Sequence, residues 1–164
     1  LIHKSDLGGV VLDIQNEEQL KNCITSLRQK FAEIDDLSFL VQEQVDQGIE
    51  VIVGAVKDEQ LGHSIMFGLG GIYIEVFKDV VFRLSPLDRD SAERMIHEIK
   101  SIPLLKGTRG QEPKDISALA DMLVNVSKLV TDNCEIIELD LNPIMAQPVA
   151  KTTKAVDVRI RIER

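Results

Sequence analysis

The chain has 164 residues, of which 44% are apolar and 28% are charged, a composition typical of one folded domain and not of a disordered or collagen-like chain. Its net charge of -8 opposes binding to nucleic acid, whose phosphates are neutralised by Lys and Arg. No apolar stretch approaches the roughly 20 residues of a membrane-spanning helix, and the first residues lack the apolar core of a signal peptide, so we expect a cytoplasmic protein that binds neither nucleic acid nor membrane.

The first predicted elements are a strand, a helix and a second strand. Residues 10–14 alternate enough to predict a strand. Asn16 can cap the helix that follows, with Gln19 three residues on. The apolar stripe of this helix consists of Leu20, Cys23, Ile24, Leu27 and Phe31. Residues 39–45 are again predicted as a strand, and a turn follows at residues 46–48.

The middle of the chain predicts an antiparallel sheet and two helices. Short runs rich in Val, Ile and Phe predict strands at residues 50–56, 64–67, 73–77 and 80–84. Asp88 and Asp115 are the predicted N-caps of the two helices. The apolar stripe of the second and longer helix consists of Ile116, Leu119, Ala120, Leu123, Val126 and Val130.

The end of the chain returns to strands, at residues 136–141 and 155–162, with a predicted break at Pro143. The fold class that follows is α+β, with a largely antiparallel sheet and helices on one face. Cys23 and Cys134 are far apart and belong to no CxxC or Cys/His cluster, so we predict reduced, structural thiols. His63 and His97 are predicted at a strand edge and on a helix surface, without a role.

A glycine-rich segment, residues 68–71, lies between two predicted strands. A Rossmann fingerprint or a P-loop needs a helix directly after the glycines to receive the phosphate. No helix is predicted here, so neither motif applies. The residues alone leave two alternatives open, a backbone approach to a ligand or a bulged hairpin.

Acidic side chains are the second candidate feature. Glu138, Asp140 and Asn142 fall on one face of a strand, and Asp157 lies on the strand that follows. Oxygen ligands of this kind suit Mg²⁺, although a solvated sheet face gives the same pattern. Two further carboxylates, Glu43 and Glu50, flank the turn at residues 46–48, and by themselves they are equally consistent with solvated turn residues.

His3 lies in a polar segment that ends in two glycines, where an exposed imidazole can act as a nucleophile. A single histidine near a terminus usually has no function, so His3 gains weight only from the motifs around it. Those motifs occur in a fixed order along the chain. They are His3-Lys4-Ser5-Asp6, Gly8-Gly9-Val10, Val41-Gln42-Glu43-x-Val45, Glu50-Val51-Ile52-Val53-Gly54, Met66-Phe67-Gly68-Leu69-Gly70-Gly71, Phe82-Arg83-Leu84-x-Pro86-Leu87, Gly107-x-Arg109-Gly110, Glu138-Leu139-Asp140-Leu141-Asn142-Pro143 and Ala155-Val156-Asp157.

This ordered set resembles the ATP-grasp part of the ADP-forming (NDP-forming) acyl-CoA synthetases, relatives of succinyl-CoA synthetase. The resemblance implies an acid–CoA ligase that converts acyl-CoA, phosphate and ADP into the acid, CoA and ATP through an acyl phosphate and a phosphohistidine. It implies ATP or ADP and Mg²⁺ as ligands. CoA is handled by a CoA-binding domain or an alpha subunit, which is the implied partner, and an oligomeric assembly is left open.

The resemblance also assigns roles to single residues. It implies that His3 is the phosphoryl carrier, that Glu43 and Val45 hold the adenine and that Glu50 reaches the ribose. The implied magnesium ligands are Asp140, Asn142 and Asp157, the implied phosphate partners are Arg83 and Arg109, and the glycines that allow a close backbone approach are Gly68, Gly70 and Gly71.

The family's lobe upstream of the His-Lys-Ser-Asp motif, with its phosphate-binding lysine, has no counterpart in this sequence. We therefore expect residues 1–164 to form a single domain, the C-terminal portion of an ATP-grasp domain, that is inactive alone. Two alternatives stay open. One is a regulatory ATP-grasp module fused to another domain such as an acetyltransferase, and the other is a succinyl-CoA synthetase-like ligase.

Overall fold

A computed structural model describes residues 8–71, 78–108 and 110–163. The chain divides into two compact units, Leu1–Gln44 and Val45–Arg164. Three predicted features, His3, Arg109 and the strand at residues 73–77, lie outside the described residues. The single domain over residues 1–164 stays a prediction.

The first unit contains helix α1, Glu17–Lys30. The helix begins where expected, because the Asn16 side chain accepts a hydrogen bond from the Gln19 N–H (2.9 Å). The strands predicted at residues 10–14 and 39–45 are wrong: neither segment is a strand. Their apolar side chains are largely exposed, as Leu40 at 83% shows, so no buried face selects a strand there.

Among the residues that the structure describes, the second unit is built on a six-stranded antiparallel sheet. Its strands are β1 Ile49–Asp58, β2 Gly62–Leu69, β3 Val80–Leu84, β4 Ile136–Ala146, β5 Lys154–Ala155 and β6 Val158–Ile162. The order is β3-β2-β1-β4, and β5 and β6 pair one after the other along the same edge of β4.

The remaining helices are α2 Arg89–Glu98, the single turn α3 Ile102–Leu105 and α4 Ile116–Asp132. The two predicted caps are confirmed: the Asp88 and Asp115 side chains accept hydrogen bonds from the first turns of α2 and α4. Buried side chains of α2 and α4 share one core with one face of the sheet. Within the described part of the chain, no helix is long and apolar enough to cross a bilayer.

The sheet has a packed face and an open face. Odd-numbered residues of β1 and β2, such as Val53 and Phe67, are buried in the core. The opposite face, called the open face below, includes Val56 and Phe82, which are 56% and 54% exposed. Since side chains alternate along each strand, the even-numbered residues of β1, including Glu50 and Gly54, belong to the open face.

Strand β4 does not end at Pro143, so the predicted break there is wrong. Val53 pairs with Leu141 and Val51 pairs with Ile144, which means that β4 advances three residues while β1 advances two. This β-bulge accommodates a proline, which cannot donate a ladder hydrogen bond. It also changes which face successive β4 residues occupy, and it does so beside Asn142.

Two side-chain expectations also need correction. His63 is predicted at a strand edge, but its side chain is buried, with 5% exposed, and its Nε2 hydrogen-bonds the Ile136 carbonyl (2.6 Å). Both cysteines are free thiols as expected, yet Cys134 is exposed, so it has no structural role in the core. His97 lies exposed on α2, as predicted.

Candidate nucleotide and metal site

The open face carries a row of residues that runs straight across the sheet through Gly54. Gly54 of β1 pairs with Met66 of β2 on one side and with Asp140 of β4 on the other. Asp140 in turn pairs with Arg159 of β6. Gly54 is itself buried under the Met66 side chain, since a Cβ on Gly54 would lie 3.2 Å from the Met66 Cε.

The three predicted metal ligands meet where the strands become irregular. The bulge in β4 at Asn142 and Pro143 lies opposite the break between β5 and β6 at Val156 and Asp157. The Asn142 N–H donates to the Asp157 carbonyl (3.2 Å), and the Val156 N–H donates to the Pro143 carbonyl (2.9 Å). The fold therefore brings Asp140, Asn142 and Asp157 to one end of the β4–β6 pair.

Negative charge accumulates at this end of the sheet. Burial raises the pKa of the Asp140 carboxyl above its usual value. Arg159 opposes this effect, but the charges of Glu138 and Asp157 raise the pKa further. Glu138 itself is paired with Arg161, whose Nη2 lies 2.9 Å from its carboxylate. A cation bound beside Asp140 and Asp157 would relieve their mutual repulsion.

The donor set fits Mg²⁺. Two carboxylates and an amide oxygen are hard ligands, and Mg²⁺ keeps several waters and needs only one or two carboxylates from the protein. In residues 8–71, 78–108 and 110–163, no three His, Cys, Asp or Glu side chains form a metal-binding group. The assignment of Asp140, Asn142 and Asp157 as magnesium ligands therefore stays a prediction.

Glu50 and the glycine-rich segment are in direct contact. The Gly70 N–H donates to the Glu50 carbonyl (2.8 Å), and a Cβ on Gly71 would lie 2.6 Å from the Glu50 Oε2. Gly68 is also confined by protein atoms, since a Cβ there would lie 2.7 Å from the Asp79 carbonyl oxygen. These contacts give the glycines a packing reason, which differs from both alternatives that the sequence left open, a backbone approach to a ligand and a bulged hairpin.

The other predicted site residues do not belong to the acidic end of the sheet. Glu43 belongs to the first unit and Val45 begins the second. Arg83 pairs with the core residue Ile65 across β2 and β3, and its guanidinium bonds the Glu98 carboxylate and the Phe82 carbonyl. Its phosphate contact stays a prediction. His3 and Arg109 lie outside the described residues.

Sequence reasoning missed Arg159 and Gln147. Arg159 is the cross-strand neighbour of Asp140, and the alternation of the last strand could have placed it on that face. Gln147 is 2% exposed and hydrogen-bonds residues about 100 positions away, for which the local sequence gives no signal.

An apolar groove of about 390 Å³ lies on the packed face, between α4 and β6. It is lined by residues such as Met122, Leu141, Val158 and Ile160. Within the described part of the chain, none of the predicted site residues lines it.

Comparison with known proteins gives the family of this chain. The profile of the ATP-grasp domain matches residues 1–162. The chain belongs to the ATP-grasp domain family. It is 42% identical to the ADP-forming acetate–CoA ligase I subunit beta of Pyrococcus furiosus, over 98% of this chain and 70% of that subunit. It is 40% identical to the ADP-forming 4-hydroxybutyrate–CoA ligase of Nitrosopumilus maritimus, over 98% of this chain and 24% of that protein.

A solved ATP-grasp relative has the same fold. The dinucleotide-forming acetyl-coenzyme A synthetase 1 of Ca. Korarchaeum cryptofilum superposes with a TM-score of 0.84 and 42% identity, over 99% of this chain and 71% of that chain. That structure contains coenzyme A and Mg-AMPPCP, with a phosphohistidine segment pointing towards the nucleotide binding site. The expected family and fold class are thus confirmed: this chain is the ATP-grasp, beta-subunit portion of an ADP-forming acid–CoA ligase.

Proposed function

We propose that this ATP-grasp chain binds ADP or ATP on the open face and transfers a phosphoryl group between the nucleotide and His3. In the complete enzyme, this step links ATP formation to acyl-CoA cleavage: acyl-CoA, phosphate and ADP give acid, CoA and ATP. The observation that carries the proposal is the convergence of Asp140, Asn142 and Asp157 at the irregular end of the β4–β6 pair.

The acidic end of the sheet holds the metal in this proposal. Asp140, Asn142 and Asp157 would bind Mg²⁺, which when bound cancels phosphate charge during transfer. Arg159 lies on the neighbouring strand opposite Asp140 and keeps this end from becoming more negative still.

The other end of the site holds the nucleoside. Val45 offers backbone groups to the adenine, with Glu43 beside it in sequence, and the Glu50 carboxylate accepts a hydrogen bond from a ribose hydroxyl. Glu50 and Asp140 belong to the same face of the sheet, because Glu50 pairs with Met145 and Gly54 pairs with Asp140 in one ladder. The Gly70 N–H bonds the Glu50 carbonyl, and the lack of a Cβ at Gly71 leaves room for the Glu50 carboxylate.

His3 carries the phosphoryl group in this proposal. Its imidazole attacks the γ-phosphorus of ATP, the bond between that phosphorus and the β–γ bridging oxygen breaks, and ADP leaves; the reverse step regenerates ATP. Arg109 is the cation proposed to contact the phosphates. The CoA and acyl phosphate chemistry is assigned to a CoA-binding domain or an alpha subunit, as the name of the Pyrococcus beta subunit suggests.

The acid is chosen outside this chain. Ligases named for acetate and for 4-hydroxybutyrate match it at 42% and 40% identity. The sequence identity over this region is therefore nearly the same for ligases that use different acids. We therefore expect substitutions on the open face to change how the activity depends on nucleotide and Mg²⁺ concentration, and not which acid the enzyme prefers.

The direct test is phosphoryl labelling of the complete synthetase with Mg²⁺ and γ-labelled ATP. We expect an acid-labile, base-stable label that disappears in His3→Ala and is released by ADP. His97→Ala is the matched control, because His97 lies exposed on α2 and bonds the Glu93 carbonyl. A label that persists in His3→Ala, or that is lost equally in His97→Ala, would contradict the role of His3.

A further inference from the structure

Gln147 is one of the few buried polar side chains in the described part of the chain, and both of its amide hydrogens have partners. It follows directly after β4 and is 2% exposed. Its Nε2 donates to the carbonyls of Asp46 (2.8 Å) and Gln47 (3.1 Å). The side chain thus bonds a backbone segment about 100 residues earlier in the sequence.

The backbone of Gln147 is itself fixed from two directions. Its N–H donates to the Thr153 hydroxyl (3.1 Å), and its carbonyl accepts from the N–H of Asp115 (2.7 Å), the cap residue of α4. A residue anchored in this way has little freedom to follow movements of residues 46–48. The segment is therefore held by Gln147.

Residues 46–48 join Val45 to β1. Strand β1 begins at Ile49, which pairs with Ala146, the residue before Gln147. The segment packs closely at this point, since a Cβ on Gly48 would lie 2.6 Å from the Ala146 carbonyl oxygen. Lys151 adds an exposed ion pair to the Asp46 carboxylate (2.8 Å). The Gln147 amide thus continues the contact between β1 and β4 beyond the end of their ladder.

We propose that Gln147 is a positioning residue for the nucleotide, which fixes the backbone between Val45 and Glu50 relative to β4. This inference rests on the proposed function. Strand β4 carries Asp140 and Asn142, so Gln147 holds the nucleoside end and the metal end of the site in one register. Because both ends of the site are then fixed before the nucleotide binds, less conformational entropy of the protein is lost on binding.

The test is Gln147→Ala in the complete synthetase, with KM for ADP, KM for acyl-CoA and Tm measured together. We expect KM for ADP to rise about tenfold while KM for acyl-CoA stays unchanged. Ser127→Ala is the matched control: Ser127 is 1% exposed, and its hydroxyl accepts from the Leu87 N–H (2.8 Å). This control loses one buried hydrogen bond and some Tm, but it should leave KM for ADP unchanged.

Equal effects of Gln147→Ala and Ser127→Ala on KM for ADP would overturn the proposal, because Gln147 would then be merely structural. If Gln147→Ala does not fold, Gln147→Asn is used instead; it keeps the amide, shortens its reach, and should raise KM for ADP severalfold. Glu50→Ala separates the two hypotheses. An unchanged KM for ADP in Glu50→Ala refutes the proposed nucleotide site, whereas a raised KM there with none in the Gln147 variants refutes only the role of Gln147.

Discussion

Replacing Gly71 by alanine should weaken nucleotide binding through Glu50. Gly71 has φ +60°, in the left-handed region that favours glycine. A Cβ there would lie 2.6 Å from the Glu50 Oε2, well inside van der Waals contact, and 3.6 Å from its Cδ. The carboxylate ends a flexible side chain, so we expect it to move away while the backbone stays in place.

Two free-energy terms follow from this geometry. A left-handed conformation costs alanine about 1 kcal/mol more than glycine, which should appear as lost stability. Displacing the Glu50 carboxylate removes a hydrogen bond to a charged group, a contribution of about 1.5–3 kcal/mol. Since 1.4 kcal/mol corresponds to a factor of about ten in affinity, we expect the Kd for ADP to rise by about tenfold or more.

The control is Gly62→Ala. Gly62 has φ +83°, and a Cβ there meets no atom within 4 Å, so it carries the same backbone cost without the contact. Urea unfolding should show similar losses of stability for both variants, and calorimetry with ADP should show weaker binding for Gly71→Ala only. Equal ADP affinity in the two variants would refute the argument that Gly71 positions Glu50.

Two further predictions concern the metal end and the fold. Asp157→Asn should weaken Mg²⁺ binding by about tenfold or more with the fold intact, because it removes a hard anionic ligand. Titration with Mn²⁺ in place of Mg²⁺, followed by electron paramagnetic resonance, measures the metal affinity. An unchanged affinity would reject Asp157 as a ligand. Asp79→Asn should destabilise the protein by about 1–2 kcal/mol at pH 7. Burial opposes ionisation of Asp79, but hydrogen bonds from Ser101 and Lys100 prevail and lower its pKa. Its carboxylate therefore stabilises the fold above the unfolded pKa of about 3.9, and that stability is lost as pH falls through the lower native pKa. In urea unfolding between pH 7 and pH 2, the free energy of unfolding of the variant should depend less on pH than that of the wild type. An unaltered pH dependence would count against this role of Asp79.

The local features of the helices could be read from the sequence. Asn16, Asp88 and Asp115 all accept hydrogen bonds from the N–H three residues on, because a cap depends only on neighbouring residues. The apolar stripe predicted for α4 is also its buried face. Caps and helical periodicity involve contacts within a few residues, and those contacts are encoded locally.

Strands were predicted less well, since a strand depends on a partner that the local sequence does not specify. Residues 10–14 and 39–45 have an apolar pattern that suits a strand, but they are not strands in the structure. In contrast, β4 continues through Pro143, because the bulge and the Val156 N–H accommodate the proline. Pairing with distant residues decided both outcomes.

The amino-acid sequence determined the family, the fold class and the set of candidate ligands, because its ordered motifs survive as short runs of residues. Only the tertiary structure decided which of these residues lie close together and which groups they contact. It placed Asp140 and Asp157 at one irregular end of the sheet, turned Arg83 towards Glu98 and linked Gln147 to residues 46 and 47. Each of these contacts joins strands or loops far apart in sequence, and only folding brings such groups within hydrogen-bonding or electrostatic reach.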